Sequence, residues 1–327
     1  MGALEEFLKD EGDLVSTFAK LTPVQQAVFN WQLTWQRKAH DHQIEPPGDW
    51  WNIWLMLAGR GAGKTRAAAE TMAQWAIEMP DSRWLVSAPT SGDIRGTCFE
   101  GDSGLLSVIP EGLIADYNKS LHEIKLINGA FIKGIPASEP ERFRGGQWHG
   151  AWLDELAAWD YLQESWDMIM FAVRLGSRTR IIASTTPKPK PLIMELIGRE
   201  GDDVVVTKAS TYVNVANLAP SFQKQILQYE GTNLGRQEIH AEIIDPEEGG
   251  IVKRDWFRLW PNHKSFPKLE FILQSYDCAT SDKTINDPSG CITFGVFKPL
   301  DGGMSVRSEE HTSELQSPMY LVCRLLL

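Results

Sequence analysis

The sequence predicts an α/β protein whose larger domain is built on a mostly parallel sheet. Apolar runs of strand length alternate with helical segments from Ile53 onward, as in proteins with parallel sheets. A glycine-rich turn separates the first of these strands, Ile53–Leu57, from an alanine-rich helix that begins at Lys64. The segment DPEEGG at 245–250 is acidic and contains glycines, unlike the alternating strands and helices before it. This composition is typical of a linker and predicts a second domain after it.

Length and composition are those of a globular chain with two domains. The chain has 327 residues, of which 43% are hydrophobic, and this is ample for sizeable cores. The longest apolar run, around Trp50 to Ala58, is too short to cross a bilayer, and the acidic N-terminus is unlike a secretion signal. We therefore expect a soluble cytosolic protein without a membrane partner. The four cysteines show no C-x-x-C spacing, which argues against a zinc site or a disulfide framework.

The net charge of −11 argues against a histone-like protein that coats nucleic acid. It does not exclude a DNA motor, because a motor needs only a local positive track. Thirteen tryptophans are present, and several of them crowd the approach to the glycine-rich turn. We expect these to pack the core between an N-terminal helical region and the first strand, in preference to stacking on bases.

Before the first strand, the pattern from Pro23 to Trp31 has helical spacing, and residues 1–45 are expected to be helical. Gln43 stands just ahead of the turn Pro46-Pro47-Gly48. In a nucleotide motor such a glutamine can read adenine, because its amide both donates and accepts hydrogen bonds. The alternative is an ordinary solvated glutamine in a loop.

The turn after the first strand has the composition of a phosphate-binding loop. Glycines let the backbone amides converge on an anion, and they stand at Gly59, Gly61 and Gly63. Lys64 would bridge the β- and γ-phosphates of ATP, and the Thr65 hydroxyl would ligate Mg²⁺. The first glycine of the general pattern G-x-x-x-x-G-K-[ST] is replaced by Ala58, and a turn that merely caps a helix remains the alternative.

Further along the chain, strands are predicted at Arg83–Pro89, Gly150–Leu153, Arg180–Thr186 and Val204–Lys208, with a hairpin at His122–Ile135 around Asn128-Gly129 and a helix at Ser221–Ile244. Thr90 is expected to cap a helix after the second strand. The strand Arg180–Thr186 ends in Thr185-Thr186-Pro187, where polar side chains would face the γ-phosphate and sense hydrolysis.

The strand Gly150–Leu153 ends in the acidic pair Asp154-Glu155. An acid at the end of such a strand holds Mg²⁺, and a carboxylate directly after it can polarise the attacking water. This pairing indicates hydrolysis, because kinases of the same fold have no need for a water-activating glutamate. The alternative is an acidic pair that caps the next helix.

Two arginines compete for the role of an arginine finger, which contacts the γ-phosphate during hydrolysis. Arg144 precedes Gly145-Gly146, a flexible presentation suited to reaching the site of a neighbouring subunit. Arg60, inside the loop, would act within its own subunit. The sequence leaves both open.

In the second domain, Phe271–Tyr276 is predicted as a strand that ends at Asp277, with Cys291–Phe297 as its hairpin partner. A carboxylate in this position is how ribonuclease-H-like nucleases begin their two-metal site. The alternative is an aspartate that terminates the strand.

Together these stretches resemble the large terminase subunit of tailed bacteriophages and related gene transfer agents. The resemblance covers roughly residues 25 to 300, and its motifs are WQRKAHDHQIEPPGDW, WLMLAGRGAGKTR, FRGGQWHGAWLDE, IIASTTPKP and ILQSYDCAT. It implies an ATPase domain of the P-loop NTPase fold (RecA/ASCE-like), followed by the start of a ribonuclease-H-like nuclease domain. For each residue named above, from Gln43 to Asp277, it also implies the functional role that is given there.

The resemblance implies an ATP-hydrolysing motor that moves double-stranded DNA into a procapsid. Its partners would be the portal protein, the small terminase subunit and further copies of itself in a ring, in the cytoplasm of a bacterial host. A helicase or recombination ATPase, or an inactive fragment that binds ATP, are the alternatives. The expected domains are the helical region 1–45, the ATPase domain 46–245, a linker 246–268, a truncated nuclease 269–306 and a tail 307–327.

The last of these segments looks foreign to the family. Residues Arg307 to Ser317, RSEEHTSELQS, resemble the translation of a widely used sequencing adapter. We expect the genuine coding sequence to end near Val306, before the two further carboxylates that a terminase nuclease requires. The chain as written is therefore expected to lack nuclease activity.

Overall fold

The computed structural model describes residues 18–244, 268–277, 290–298, 305–312 and 323–325. The chain divides into two compact units, Met1–Ile244 and Asp245–Leu327. An eight-stranded sheet lies in the first unit and a four-stranded sheet in the second. No helix within the described ranges is both long enough and apolar enough to cross a membrane.

Helix α1, Pro23–Lys38, begins where the sequence predicts it. The Thr22 hydroxyl accepts a hydrogen bond from the backbone N–H of Gln25, and Pro23 occupies the first turn, where no intrahelical donor is needed. Trp51 and Trp54 are fully buried, which confirms core packing for these two tryptophans, whereas Trp50 is half exposed. The first 17 residues of the predicted helical region lie outside the described residues.

The strands of the main sheet are β1 Ile53–Ala58, β2 Arg83–Ser87, β3 Ile114–Asn118, β4 Glu123–Leu126, β5 Phe131–Gly134, β6 Gly150–Leu153, β7 Arg180–Thr185 and β8 Val204–Ala209. Their order across the sheet is β3-β4-β5-β2-β6-β7-β1-β8. Neighbouring strands in the series β5-β2-β6-β7-β1-β8 pair in parallel. At one edge of the sheet, β4 pairs antiparallel with β5, and β3 pairs antiparallel with β4. The predicted mostly parallel sheet is confirmed, and so is the hairpin, which is formed by β4 and β5.

Further helices are α2 Lys64–Glu78, α3 Leu162–Ala172, α4 Pro191–Gly198, α5 Pro220–Ile226 and α6 Asn233–Glu238. Single α-helical turns cover Ser91–Asp93 and Leu105–Val108, and a π-helical segment covers Ile94–Phe99. Short 3₁₀ turns cover Asp41–Gln43, Glu111–Leu113, Pro140–Gly145, Leu156–Ala158, Thr211–Asn217 and Leu227–Tyr229.

Thr90 caps the turn at Ser91, as predicted, since its hydroxyl accepts a hydrogen bond from the backbone N–H of Asp93. The predicted continuous helix Ser221–Ile244 is wrong in part. The chain breaks at Gly231, whose φ of +77° is incompatible with a helix, and Thr232 then caps α6, which ends at Glu238.

Helices cover both faces of the sheet, as a parallel sheet requires. Trp54 and Met56 of β1 belong to the core on one face, together with the alanine-rich side of α2. Leu55 and Leu57 belong to the core on the other face, together with α3 and α4. Because β1 is buried on both sides along its whole length, its carboxyl end is a rigid platform for the loop that follows.

The second unit contains β9 Phe271–Asp277, β10 Gly290–Phe297, β11 Ser305–Thr312 and β12 Cys323–Leu325, all antiparallel, in the order β12-β11-β10-β9. The predicted pairing of β9 with β10 is confirmed, and Asp277 ends β9 opposite Gly290. Residues 307–312 continue β11, so part of the predicted tail has strand geometry. Of the predicted linker 246–268, only Lys268 lies within the described residues.

Candidate nucleotide site

The sheet brings several of the predicted site residues together at one edge. Parallel strands end on the same side, so the segments that follow β1, β6 and β7 emerge together. Strand β7 lies between β1 and β6, and it pairs with both. The loop before Lys64, Glu155 after β6 and the polar end of β7 at Thr185 therefore surround one space, whereas Asp154 is buried and does not line it.

The glycine-rich loop has the backbone geometry that its sequence predicts. Gly61 and Gly63 have φ angles of +80° and +88°, which a residue with a Cβ rarely adopts. A Cβ on Gly59 would lie 2.6 Å from the backbone oxygen of Ile239. This contact is too short, so only glycine fits at this position. Gly63 immediately precedes α2, whose N-terminus adds its dipole to the loop.

Lys64 is the first residue of α2, directly after this loop, and is only 8% exposed. Its Nζ donates hydrogen bonds to the backbone oxygens of Ala58, at 2.9 Å, and Gly59, at 3.4 Å. The same Nζ lies 3.5 Å from Oε1 of Glu155. The structure thus brings Lys64 and the second acid after β6 to the same place, as the sequence predicts.

Glu155 has an unusual backbone conformation with a φ of +48°. Non-glycine residues in this region are strained, and such strain clusters at functional sites. Its Oε2 accepts hydrogen bonds from the backbone N–H and the hydroxyl of Thr186, at 3.3 and 3.4 Å. Thr185 is fully buried, and its hydroxyl accepts a hydrogen bond from the backbone N–H of Ala157. The end of β7 therefore holds the segment that carries Glu155.

Asp154 is 4% exposed, and burial raises its pKa to about 6. The Ser184 hydroxyl donates a 2.7 Å hydrogen bond to its Oδ1 and opposes this rise, whereas the neighbouring Glu155 carboxylate adds to it. A divalent cation beside Asp154 would favour the ionised form. A carboxylate and the Thr65 hydroxyl are oxygen ligands of the kind that Mg²⁺ prefers, and Mg²⁺ commonly takes few protein ligands and keeps several waters. The residues present therefore fit this ion.

A cavity of about 770 Å³ opens above the loop. This volume is within the usual range for small-molecule sites. It is lined by Arg60, Gly61, Gly63, Lys64, Thr65, Arg66, Gly96, Thr97, Gly101, Asp102, Ser103, Glu155, Ala158, Thr185, Thr186, Lys188, Asn214, Leu218 and Glu238. The π-helical segment contributes Gly96 and Thr97, and π-helical turns are often found at functional sites.

Gln43 is close to the loop but is not among the residues that line the cavity. Its Nε2 donates a hydrogen bond to the backbone oxygen of Gly63 at 3.0 Å, and its Oε1 accepts one from the backbone N–H of His40 at 2.9 Å. His42 makes a similar contact with the backbone oxygen of Ala62. With both ends of its amide engaged, Gln43 braces the loop here, and its predicted contact with adenine stays a prediction.

The two arginines differ in position. Arg60 lines the cavity, and its Nε lies 3.3 Å from Oε2 of Glu238. Arg144 lies in the 3₁₀ turn Pro140–Gly145, is 62% exposed and pairs with Glu141 on the surface. It does not line the cavity of its own subunit, which is the arrangement that a role in a neighbouring subunit requires. Both roles stay predictions.

Sequence reasoning missed a set of contacts from the segment after β8. Thr211 is fully buried, and its hydroxyl donates a hydrogen bond to the backbone oxygen of Arg60 at 2.8 Å. Asn214 donates one to the backbone oxygen of Gly61 at 2.7 Å. No motif in this segment signals these contacts, because threonine and asparagine in a loop usually bond to their own backbone. The segment from Thr211 to Ile239 thus packs directly on the loop.

We expect Thr211→Val to lower the free energy of unfolding by about 1–3 kcal/mol, because the Arg60 oxygen then loses a buried donor. Urea unfolding followed by tryptophan fluorescence measures this change. Thr211→Ser keeps the hydroxyl and is the matched control, with a smaller expected loss. If the two variants are equally stable, the hydroxyl does not hold the loop.

Comparisons with known proteins agree with this architecture. The family model described as "Terminase large subunit, T4likevirus-type, N-terminal" matches residues 55–259. The large terminase of the thermophilic bacteriophage D6E superposes with a TM-score of 0.51 at 12% identity, covering 86% of this chain and 66% of that one. The ATPase domain of the Thermus phage P74-26 large terminase matches with a TM-score of 0.47 at 17% identity, covering 63% of this chain and 94% of that domain.

The large terminase of bacteriophage HK97 gives a TM-score of 0.49 at 12% identity, covering 89% of this chain and 63% of that one. The present chain thus spans about two thirds of the length of the D6E and HK97 proteins. At 12% identity the D6E protein shows a shared fold. The family match includes most of the strand before the loop, the acidic pair and the end of β7, and it covers more than half of the chain. The chain therefore belongs to the terminase large subunit family.

Proposed function

We propose that this chain is the ATP-hydrolysing motor subunit of a viral DNA-packaging machine, which moves double-stranded DNA into a procapsid. One observation carries the proposal: Lys64 Nζ lies 3.5 Å from Glu155 Oε1, and both residues line the same cavity. A cation that binds phosphate and an acid that activates water thereby face one space, as ATP hydrolysis requires.

In this proposal the backbone N–H groups of the glycine-rich loop and Lys64 bind the phosphates. Thr65 and Asp154 would hold Mg²⁺, which would neutralise phosphate charge when bound. The Glu155 carboxylate accepts a hydrogen bond from the attacking water and takes its proton. Thr186 keeps Glu155 pointed at the cavity through the two hydrogen bonds to Oε2.

The contacts of Lys64 suggest how binding prepares the site. Its Nζ is shared between Glu155 and the backbone oxygens of Ala58 and Gly59. A triphosphate carries more negative charge than one carboxylate, so it draws Lys64 away from Glu155. Oε1 is then free for water, and Glu155 becomes active only when a γ-phosphate is present.

The remaining roles follow from the family. Arg144 or Arg60 would be the arginine finger in a homo-oligomeric ring on the procapsid, with the portal protein and the small terminase subunit as partners in the host cytoplasm. Asp277, at the end of β9, would be the first metal ligand of a nuclease that cuts concatemeric DNA. Gln43 would reach adenine only after releasing its hydrogen bonds with Gly63 and His40.

The test is an ATPase assay with and without linear double-stranded DNA. We expect Mg²⁺-dependent hydrolysis that DNA stimulates, with stimulation that falls as salt is raised, because the protein binds phosphates rather than bases. Chelation of Mg²⁺ is the control. Failure of the chain to bind or hydrolyse ATP under any of these conditions contradicts the proposal, and unwinding of forked DNA would favour a helicase instead.

A further inference from the structure

We propose that Lys188 binds the γ-phosphate of ATP, as a second lysine of the nucleotide site. This inference rests on the proposed function, since it assumes that the cavity above the glycine-rich loop takes ATP. Lys188 follows the polar end of β7 and lines that cavity together with Lys64, Glu155 and Thr186.

The charges around the cavity single out Lys188. Its lining contains the cationic side chains Arg60, Lys64, Arg66 and Lys188. The first three each have a carboxylate partner: Glu238 at 3.3 Å, Glu155 at 3.5 Å and Glu70 at 2.6 Å, respectively. Lys188 has no ion pair with any residue that the structure describes. Its charge therefore remains available to an anionic ligand.

The local chain presents Lys188 rigidly. It stands between Pro187 and Pro189, and each proline fixes its own φ and holds the preceding residue in an extended conformation. Lys188 is half-buried, and its backbone oxygen accepts a hydrogen bond from the N–H of Lys190, just before α4 begins. A stiff segment loses little backbone entropy when its side chain binds, which favours a defined contact.

Its neighbours indicate which phosphate Lys188 meets. Thr186, two residues earlier, donates hydrogen bonds to Glu155 Oε2, so this part of the cavity lies beside the acid that activates water. In-line attack requires the γ-phosphate to be next to that water. Lys188 would therefore contact the phosphate that leaves on hydrolysis, and it would bind ATP but not ADP.

The experiment compares the affinities of ATPγS and ADP, each measured in Mg²⁺ by competition with a fluorescent nucleotide. We expect Lys188→Ala to weaken ATPγS binding about tenfold, since it removes a charge-assisted hydrogen bond, and to leave ADP binding unchanged. Lys188→Arg should retain most of the ATPγS affinity. Lys190→Ala is the matched control, because Lys190 lies in the same proline-rich segment, is exposed and does not line the cavity.

An equal loss of ATPγS and ADP affinity in Lys188→Ala overturns the assignment to the γ-phosphate. Unchanged ATPγS affinity with lost stimulation by DNA also overturns it, and indicates that Lys188 contacts the DNA backbone. A wild-type chain that binds neither nucleotide overturns the proposed function itself. If the wild-type chain hydrolyses ATP, and Lys188→Ala binds ATPγS and ADP as well as Lys190→Ala does, only the role of Lys188 is overturned.

Discussion

Glu155→Ala is expected to slow ATP hydrolysis by about 10² to 10⁴-fold, the usual contribution of a general base. The same change should leave ATP affinity unchanged or slightly higher. Glu155 donates nothing to the phosphates, and without it Lys64 loses the carboxylate that competes with the triphosphate. Single-turnover hydrolysis and nucleotide competition measure the two effects separately.

Two further variants control this experiment. Glu155→Gln keeps the size of the side chain and an oxygen that can accept from Thr186, but it cannot take a proton, so its rate should fall as far as that of the alanine variant. Glu164→Ala removes an exposed carboxylate in the first turn of α3 and should hydrolyse ATP normally. Near-normal turnover in Glu155→Ala would remove this residue from the mechanism.

Much of the site could be predicted from the sequence because its key residues lie directly after strands. A parallel sheet fixes where strand ends meet, so once Lys64 and Asp154 follow buried apolar runs, their proximity is a matter of topology. The tight turn at Gly61 and Gly63 was predictable for a similar reason. Both residues have positive φ angles, which glycine adopts without a steric penalty. Local patterns are informative when a single backbone element does the positioning.

The remaining features depend on contacts between distant segments, which leave little trace in local sequence. Thr211 and Glu238 contact the loop around Arg60 from the segment after β8. Gln43 has the residue type expected of an adenine reader, yet its amide is used by Gly63 and His40. Strand β3 was missed because it is a largely exposed edge strand without an apolar run.

The positions of Gly63 and Gln43 lead to the second large effect that we expect. Gly63→Ala should weaken ATP binding by at least about tenfold. Its φ of +88° costs an alanine about 1–2 kcal/mol, and the new Cβ would overlap Nε2 of Gln43. The loop must move to relieve the backbone strain and the overlap. Its backbone N–H groups then no longer converge on the phosphates. Nucleotide competition measures the affinity, and urea unfolding measures the accompanying loss of stability.

A double variant separates the two causes. Gln43→Ala with Gly63→Ala removes the overlap but leaves the backbone strain, so it should recover part of the lost affinity and no more. Gly198→Ala is the matched control, because Gly198 ends α4 and a Cβ there meets nothing within 4 Å. That variant should bind ATP normally and be no less stable, since alanine favours the helix over glycine. If Gly63→Ala binds ATP as well as Gly198→Ala does, the loop does not need its left-handed residue, and the phosphate-binding role of this turn fails.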